Sequence, residues 1–277
     1  MRIVSWNIKQ LAEPWRVLVA DDSLDVALLQ ESALPPSDVT CDVVPARDSD
    51  CKWTMRGYAR SFRTAVARLS QRVTMRDRQT VELGTTADGA IGVSRVGTLA
   101  IADIGHAGET ITCISAYAVW ESMLHDPPQQ KSEILSDASA HRLVSDISPL
   151  IANRRHKILV AGDFNILRGY GEHGSPYWAG RYETVFTRME ALGLRFVGPE
   201  APNGRQADPW PDELPRASKN VPTYRSTRQT PATATRQLDF VFASESIADR
   251  VRTRAMNGID EWGPSDHCRV VIDIAEP

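Results

Sequence analysis

Residues 157–166 constrain the fold more than any other part of this 277-residue chain. Within them, residues 158–161 form an apolar, β-branched run of the length expected for a strand buried on both faces. Gly162 follows, and Asp163 and Asn165 then stand at alternate positions, so their side chains point the same way in extended backbone. A carboxylate can bind metal or accept a proton, and an amide can donate to an oxyanion. Since Asp and Asn also end strands for structural reasons, the pair needs support from elsewhere.

Polar residues of the same kind border other apolar runs. They are Asn7 after the run 2–6, Glu31 after the run 24–29, Tyr117 near the end of the run 110–118, Asp239 within the run 236–243, and Asp266 with His267 before the run 269–274. Each alone has an ordinary explanation, such as a surface carboxylate after a strand, a core tyrosine or a structural histidine. The recurrence gives the pattern its weight.

The remaining periodic segments predict a sheet-rich chain with few helices. Further strands are expected at residues 39–44, 64–69, 81–83, 91–96 and 98–104. Helical periodicity occurs at residues 13–20, 131–152 and 182–192, with a short helical turn at 247–251. Successive strands without intervening helices indicate an antiparallel or mixed sheet. Because no repeat or low-complexity linker divides the chain, a single domain over residues 1–277 is expected.

The formal charge of −3 does not indicate a nucleic-acid-binding protein, because the chain has no overall excess of basic residues. A local basic cleft is still compatible with this charge. Residues 52–78 are rich in arginine, and a solvated face paired with acids is favoured there over a phosphate track. The Pro-rich stretch 199–222 is long for a loop and is a candidate substrate-facing segment.

The four cysteines, Cys41, Cys51, Cys113 and Cys268, have no zinc-like spacing. Cys113 and Cys268 lie in apolar runs, where thiols are usually small buried hydrophobes. A bridge between Cys41 and Cys51 would need an oxidising compartment, and nothing in the sequence demands it. The chain starts directly with a strand, and no apolar stretch approaches the roughly 18 residues of a membrane span. A cytoplasmic monomer without membrane association is therefore expected, with protein partners unknown.

Taken together, the polar strand ends resemble the endonuclease/exonuclease/phosphatase superfamily, which includes exonuclease III-like AP endonucleases and DNase I-like nucleases. The matching stretches are Ser5-Trp6-Asn7-Ile8, Leu29-Gln30-Glu31, Ser115-Ala116-Tyr117, Gly162-Asp163-Phe164-Asn165, Leu238-Asp239-Phe240-Val241 and Ser265-Asp266-His267-Cys268. They occur in the family's order and span nearly the whole chain. The resemblance implies an α/β (α+β) fold, a four-layered sandwich of two mixed β-sheets packed face to face with helices outside. The site would lie where strand ends of both sheets converge.

The resemblance also implies roles in metal-assisted hydrolysis of a phosphodiester. Glu31 would be the main ligand of Mg²⁺, for which Mn²⁺ can substitute, with Asn7 and Asp266 close by, directly or through water. Asp163 would orient or deprotonate the water, and Asn165 would hold the nucleophile or a phosphoryl oxygen. His267, oriented by Asp239, would stabilise the developing charge. Tyr117 would contact a phosphate or assist the leaving group. The sequence leaves open whether Asp163 or His267 accepts the proton.

Two positions depart from the AP-endonuclease pattern. Lys9 stands where those enzymes commonly carry an acidic or amide residue, so a possible metal ligand is replaced by a cation able to contact phosphate. Val119 and Trp120 replace a nearby Pro and Asn, which weakens a claim of abasic-site recognition. Trp120 would either stack on a base or pack, with packing slightly favoured. Arg225, in Thr223-Tyr224-Arg225-Ser226, would either reach a phosphate or support the nearby strand.

The leading hypothesis is therefore a Mg²⁺-dependent phosphodiesterase, most simply a nuclease acting on DNA or RNA. The alternative is a non-nuclease phosphoesterase of the same fold, acting on an inositol phosphate, a phospholipid or a DNA-end adduct. A non-catalytic binding protein is disfavoured because binding alone would not require all of the site's acids and its histidine.

Overall fold

The computed structural model describes residues 1–47, 63–85, 88–119, 121–122, 133–134, 136–151 and 155–277. Its strands are β1 (Arg2–Asn7), β2 (Val26–Ser32), β3 (Asp42–Val44), β4 (Arg63–Arg68), β5 (Thr74–Asp77), β6 (Thr80–Glu82), β7 (Ile91–Val93), β8 (Leu99–His106), β9 (Glu109–Tyr117), β10 (Glu121–Ser122), β11 (Glu133–Ile134), β12 (Ile158–Asp163), β13 (Leu194–Gly198), β14 (Asp239–Ser244), β15 (Val251–Ala255) and β16 (Val270–Ile274). The helices are α1 (Glu13–Val19), α2 (Ser136–Ile147), α3 (Pro176–Ala191) and α4 (Glu245–Ala248), with 3₁₀ turns at Ser148–Leu150, Glu172–Gly174 and Pro231–Thr233.

Two six-stranded sheets carry the fold. The first sheet has the order β15-β16-β1-β2-β4-β3, and the second sheet has the order β13-β14-β12-β9-β8-β5. In each sheet one central pair is parallel, β1 with β2 and β12 with β9, and all other neighbours are antiparallel. The two sheets therefore share one pattern of strand directions, and the predicted mixed sheets are confirmed.

The sheets pack face to face, and helices cover their outer faces. Alternate residues of a strand enter different cores, because successive side chains point to opposite faces. In β1, Ile3 enters the core between the sheets, whereas Val4 packs with α1 residues under the first sheet. In β12, Leu159 enters the same central core, whereas Val160 packs with α2 and α3. Four layers result, as the resemblance implies. Burial on both faces also explains why these strands are continuous apolar runs.

Helix boundaries depart from the sequence expectations where capping signals or tertiary pairing decide. Within the expected helix 131–152, residues Glu133–Ile134 form β11, and the described helix α2 is Ser136–Ile147. Helix α3 begins at Pro176, well before the expected residue 182, because the side chain of Ser175 caps it. The turn expected at 247–251 is wrong in its second half, since α4 ends at Ala248 and Val251 opens β15.

Sequence reading missed β5, β13 and β15. Strand β15 is an edge strand whose residues alternate between buried and exposed positions, so its arginines interrupt any apolar run. The arginine-rich segment is described only from Arg63 onward. There Arg68 pairs with Asp42, and Arg76 and Arg78 pair with Asp103, in line with the paired face favoured from sequence.

The buried thiols behave as predicted, because Cys113 and Cys268 lie in the core. Cys51 lies outside the described residues, so a bridge to Cys41 stays a prediction. In the described ranges, no helix combines the length and the apolar character that crossing a membrane requires.

Candidate active site

The strand directions bring the predicted site residues to one edge of the sandwich, called here the site edge. Strands β1, β2, β9 and β12 all end there, while β14 begins there and the chain enters β16 there. In the second sheet, Asp163 is the register partner of both Tyr117 and Asp239, so three neighbouring strands place their polar residues side by side. Gly162 permits this pairing, because a Cβ at that position would overlap the backbone carbonyl of Ala116.

The amide of Asn7 connects the two sheets at this edge. Its Nδ2 donates to Oδ2 of Asp163 over 3.0 Å and to Oε1 of Glu31 over 3.3 Å, while its Oδ1 accepts from the backbone N–H of Lys9 over 3.1 Å. This pattern fixes the amide orientation, since the reverse assignment would oppose like groups. A carboxylate from each sheet is thus held by one buried side chain.

Glu31 is half-buried and lies where the pairing of β2 with β4 is irregular. Its backbone is left-handed, with φ of 44°, and such a bulge re-aims a side chain. The hydroxyl of Tyr117 donates to Oε1 of Glu31 over 2.8 Å, the same oxygen that Asn7 contacts. No donor in the described part of the chain contacts Oε2. Oxygen ligands of this kind suit Mg²⁺, so the donor set fits a divalent cation at Glu31.

Asp163 is almost fully buried, with 1% of its surface exposed, and accepts several hydrogen bonds. Besides Asn7, the backbone N–H of Asn165 donates to its Oδ1 over 2.9 Å and the Asn165 side chain to its Oδ2 over 3.2 Å. Asn165 also has left-handed backbone, with φ of 49°, which turns it back onto Asp163. The expected pairing of Asp163 with Asn165 is therefore present, through a turn and not through extended backbone.

His267 lies between two carboxylates. Its Nδ1 is 2.8 Å from Oδ2 of Asp239, and its Nε2 is 3.7 Å from Oδ2 of Asp163. The ring of Tyr224 packs on the imidazole with centroids 5.0 Å apart. The Nδ1 contact orients the ring so that Nε2 faces Asp163. Asp163, Asp239 and His267 also offer ligand atoms within 4.8 Å of one another, so this buried group is a second place able to hold a metal.

Among the described residues, no arginine pairs with Asp163, Asp239 or His267. Burial and the charges within the group therefore set the pKa values of Asp163 and His267. Burial raises the pKa of Asp163 to about 7, although the neighbouring imidazole opposes the shift. For His267, burial opposes the charged form, but the carboxylates of Asp239 and Asp163 outweigh it and raise the pKa to about 10. The imidazole is therefore a cation at neutral pH, and Asp163, although a weaker acid than an ordinary aspartate, is still the stronger acid of the two.

The remaining predicted residues lie beside this centre. Nζ of Lys9 is 2.7 Å from Oδ2 of Asp266. The backbone N–H of Arg225 donates to the carbonyl of Asp266 over 2.9 Å, and its Nη2 lies 3.4 Å from the carbonyl of Ser265. The Nε of Arg225 is buried without a hydrogen-bond partner among the described residues. Trp120 lies outside the described residues, so its role stays a prediction.

Sequence reading missed the residues that hold the site together. Ser265 donates to the carbonyl of Asn7 over 2.7 Å, which ties the histidine segment to β1. The hydroxyl of Thr223 accepts from the backbone N–H of Asp239 over 3.1 Å. Ser265 belongs to a stretch quoted for the resemblance, and Thr223 belongs to the stretch that contains Arg225, but nothing in the sequence pointed to their contacts. Beneath Glu31, Nε2 of Gln30 donates to Oγ of Ser115 over 2.9 Å, a buried hydrogen bond between the sheets.

Solved structures with the same fold have low sequence identity. The AP endonuclease LMAP from Leishmania major is similar with a TM-score of 0.62 and 18% identity, covering 100% of this chain and 88% of that one. The endonuclease domain of TRAS1, a telomere-specific non-LTR retrotransposon, gives 0.60 and 15%, covering 99% and 98%. The 3′ phosphatase NExo from Neisseria, bound to a product DNA hairpin, gives 0.55 and 17%, covering 100% of both chains.

These similarities confirm the predicted fold, a four-layered sandwich of two mixed β-sheets with helices outside. No protein-family model matches the chain, and no curated protein matches it in sequence. The low identities leave the specific activity to be argued from the site itself.

Proposed function

We propose that this chain hydrolyses phosphodiester bonds of nucleic acid, DNA or RNA, with Mg²⁺ bound at Glu31 and Mn²⁺ able to replace it. The observation that carries the proposal is the double hydrogen bond of Asn7 Nδ2 to Glu31 and Asp163. It supports the proposal because the carboxylate proposed to bind the metal and the buried carboxylate proposed to accept the proton lie on either side of one amide, an arrangement suited to attack of water on phosphorus.

Asp163 is the proposed proton acceptor. Its carboxylate is oriented by Asn7 and Asn165, and it faces an imidazole that already holds its proton between two carboxylates. The water oxygen forms a bond to phosphorus, its proton passes to Asp163, and the bond from phosphorus to the leaving oxygen breaks. His267 keeps its proton and donates from Nε2 to a phosphoryl oxygen as charge builds there.

The other residues bind and position. Glu31 would be the principal ligand of the cation, with Asn7 and Asp266 beside it, and the cation would supply charge neutralisation for the phosphoryl oxygens and the leaving oxygen. Tyr117, which donates to Glu31, is proposed to position that ligand. Arg225 has an unused Nε donor next to the histidine segment and is proposed to contact a substrate phosphate.

Two observations favour nucleic acid over other phosphoesters. Structures of the same fold include two endonucleases and a phosphatase bound to a DNA hairpin. Cationic side chains, Lys9 and Arg225, flank the carboxylates at the site edge, where a phosphate backbone would run.

A substrate screen tests the proposal. Plasmid, duplex and single-stranded DNA, an abasic oligonucleotide, RNA and phospholipid headgroups are incubated with Mg²⁺ or Mn²⁺. We expect cleavage of nucleic acid that EDTA stops and that Asp163→Ala lowers by about 10³-fold or more, as loss of a general base does. Asp249→Asn is the matched control, because Asp249 is an exposed partner of Arg195.

The outcomes separate the candidates. Turnover of headgroups with intact nucleic acid would support the non-nuclease phosphoesterase. Equal loss in Asp249→Asn and Asp163→Ala, or cleavage that EDTA does not affect, would contradict the proposed mechanism.

A further inference from the structure

Lys9 makes two contacts that bracket the proposed metal site. It lies directly after β1 in left-handed backbone, with φ of 48°, and Gln10 follows with φ of 59°. The backbone N–H of Lys9 holds Oδ1 of Asn7, and the backbone N–H of Gln10 donates to the carbonyl of Glu31 over 2.7 Å. This turn directs Nζ of Lys9 onto Oδ2 of Asp266, 2.7 Å away. The ammonium of Lys9, whose side chain is 45% exposed, therefore lies at the rim of the site.

The ion pairs at the site edge indicate the role of the Lys9 ammonium. Four carboxylates converge at the site edge, and Lys9 pairs with that of Asp266 while His267 pairs with that of Asp239. The other two belong to Glu31 and Asp163, which the neutral amide of Asn7 joins. Of the four, the carboxylate of Glu31 contacts no cationic side chain among the described residues, which leaves it for an added cation.

Outside the buried group of Asp163, Asp239 and His267, a second divalent ion would need a carboxylate of its own. Asp266 is only partly buried and is the acid through which such an ion would be held next to the first. The Lys9 ammonium already occupies an oxygen of that carboxylate, and a divalent ion within a few ångströms of it would be strongly repelled. An ammonium group cannot bind a metal ion. Lys9 therefore blocks the position beside Asp266 and also supplies a positive charge there.

We infer that Lys9 takes the place of a second divalent cation at Asp266, where an uncharged side chain at position 9 would admit one beside the ion at Glu31. The inference rests on the proposed function for the identity of the site. It assigns to Lys9 a role in setting metal stoichiometry, carried by its ion pair with Asp266.

The test measures metal binding without substrate. Mn²⁺ is titrated into the folded chain, and bound and free ion are separated by electron paramagnetic resonance and by calorimetry. We expect one Mn²⁺ per chain in the wild type and in Lys9→Arg, which keeps the charge. Lys9→Gln should bind a second, weaker Mn²⁺, and Lys9→Gln with Asp266→Asn should return to one.

A matched control comes from the far side of the molecule. Lys157→Gln also removes a lysine from a carboxylate, that of Glu109, and should leave one Mn²⁺ per chain. Circular dichroism on each variant shows that the fold is retained.

Two results would overturn the inference and leave the proposed function standing: two ions in the wild type, or one ion in Lys9→Gln. Absence of bound Mn²⁺ in the wild type would instead contradict the metal-dependent function, and the inference would fall with it.

Discussion

The two edges of the sandwich carry acids on the same strands but treat them in opposite ways. At the site edge, Asp163 is buried against amides and an imidazole. At the opposite edge, Glu109 at the start of β9 accepts three hydrogen bonds from Arg250 and also contacts Nζ of Lys157. Asp25, just before β2, pairs with Arg72 and accepts from Ser70. One strand, β9, therefore begins at a structural acid and ends at a residue of the site.

The two edges differ in the pKa values of their acids. Hydrogen bonds from Arg250, and then from Lys157, hold the pKa of Glu109 below its usual range. Burial alone would raise the pKa of Asp25, yet bonds from Arg2, Ser70 and Arg72 keep it low. At the site edge, burial raises the pKa of Asp163 instead. An arginine makes a buried carboxylate a fixed anion that supports the fold, whereas amides leave it able to take a proton.

The largest effect is expected from making the same Glu→Gln change at both edges. Glu31→Gln should lower Mn²⁺ affinity about 100-fold or more, because changes behind a metal ligand already cost about 10–100-fold. Its free energy of unfolding in EDTA should not fall. Glu109→Gln should bind Mn²⁺ normally but lose about 1 kcal/mol of stability, since two partly exposed cations lose their anion. Calorimetry and urea denaturation measure the two quantities.

Results opposite to these would contradict the proposed difference between the two edges. A Glu109→Gln variant as stable as the wild type would show that its arginine pairing is not structural. A Glu31→Gln variant that unfolds easily but binds Mn²⁺ normally would remove Glu31 from the metal site.

A smaller effect is expected for Tyr117→Phe at the site end of β9. The change removes only the hydroxyl that donates to Glu31, so Mn²⁺ affinity and cleavage rate should fall about tenfold while the fold is retained. Tyr177→Phe, on the exposed face of α3, is the matched control and should change neither. Unchanged Mn²⁺ affinity in Tyr117→Phe would argue for a direct role of the hydroxyl on the substrate.

The smallest effect is the pH dependence of the opposite edge. A carboxylate with a lowered pKa in the folded state stabilises the fold above its unfolded pKa, roughly 4.3 for Glu, and this contribution disappears as the pH falls through the folded pKa. The stability difference between the wild type and Glu109→Gln should therefore be full at pH 7 and shrink below about pH 4. Urea denaturation at pH 7, 4 and 3 measures it, and a difference independent of pH would contradict the ionic explanation.

Much of the fold could be predicted because both faces of the main strands are covered. The run at residues 158–161 is apolar throughout for that reason, and its end locates Asp163. The alternation of buried and exposed residues in β15 gave no such run, so this edge strand was missed. The cap at Ser175 preceded the apolar face of α3, and periodicity alone placed that helix too late.

The site was predictable as a set of residues and not as a set of contacts. Apolar runs located Tyr117, Asp163 and Asp239, because strand register carries them to the same edge. The sequence carried no sign that Lys9 would pair with Asp266, since that contact depends on a turn after β1 and on the approach of a distant segment. The orientation of Asn7 toward both carboxylates likewise depends on the stacking of one sheet on the other.

The buried contact between Gln30 and Ser115 has a mechanical consequence. Glu31 belongs to the first sheet and Asp163 to the second. Sliding of one sheet over the other would therefore displace these two carboxylates relative to each other. The hydrogen bond of Gln30, one residue from Glu31, resists that sliding, together with those of Asn7 to Asp163 and of Ser115 to the carbonyl of Leu29. The geometry of the proposed site therefore depends on hydrogen bonds between the two sheets as well as on the residues of the site itself.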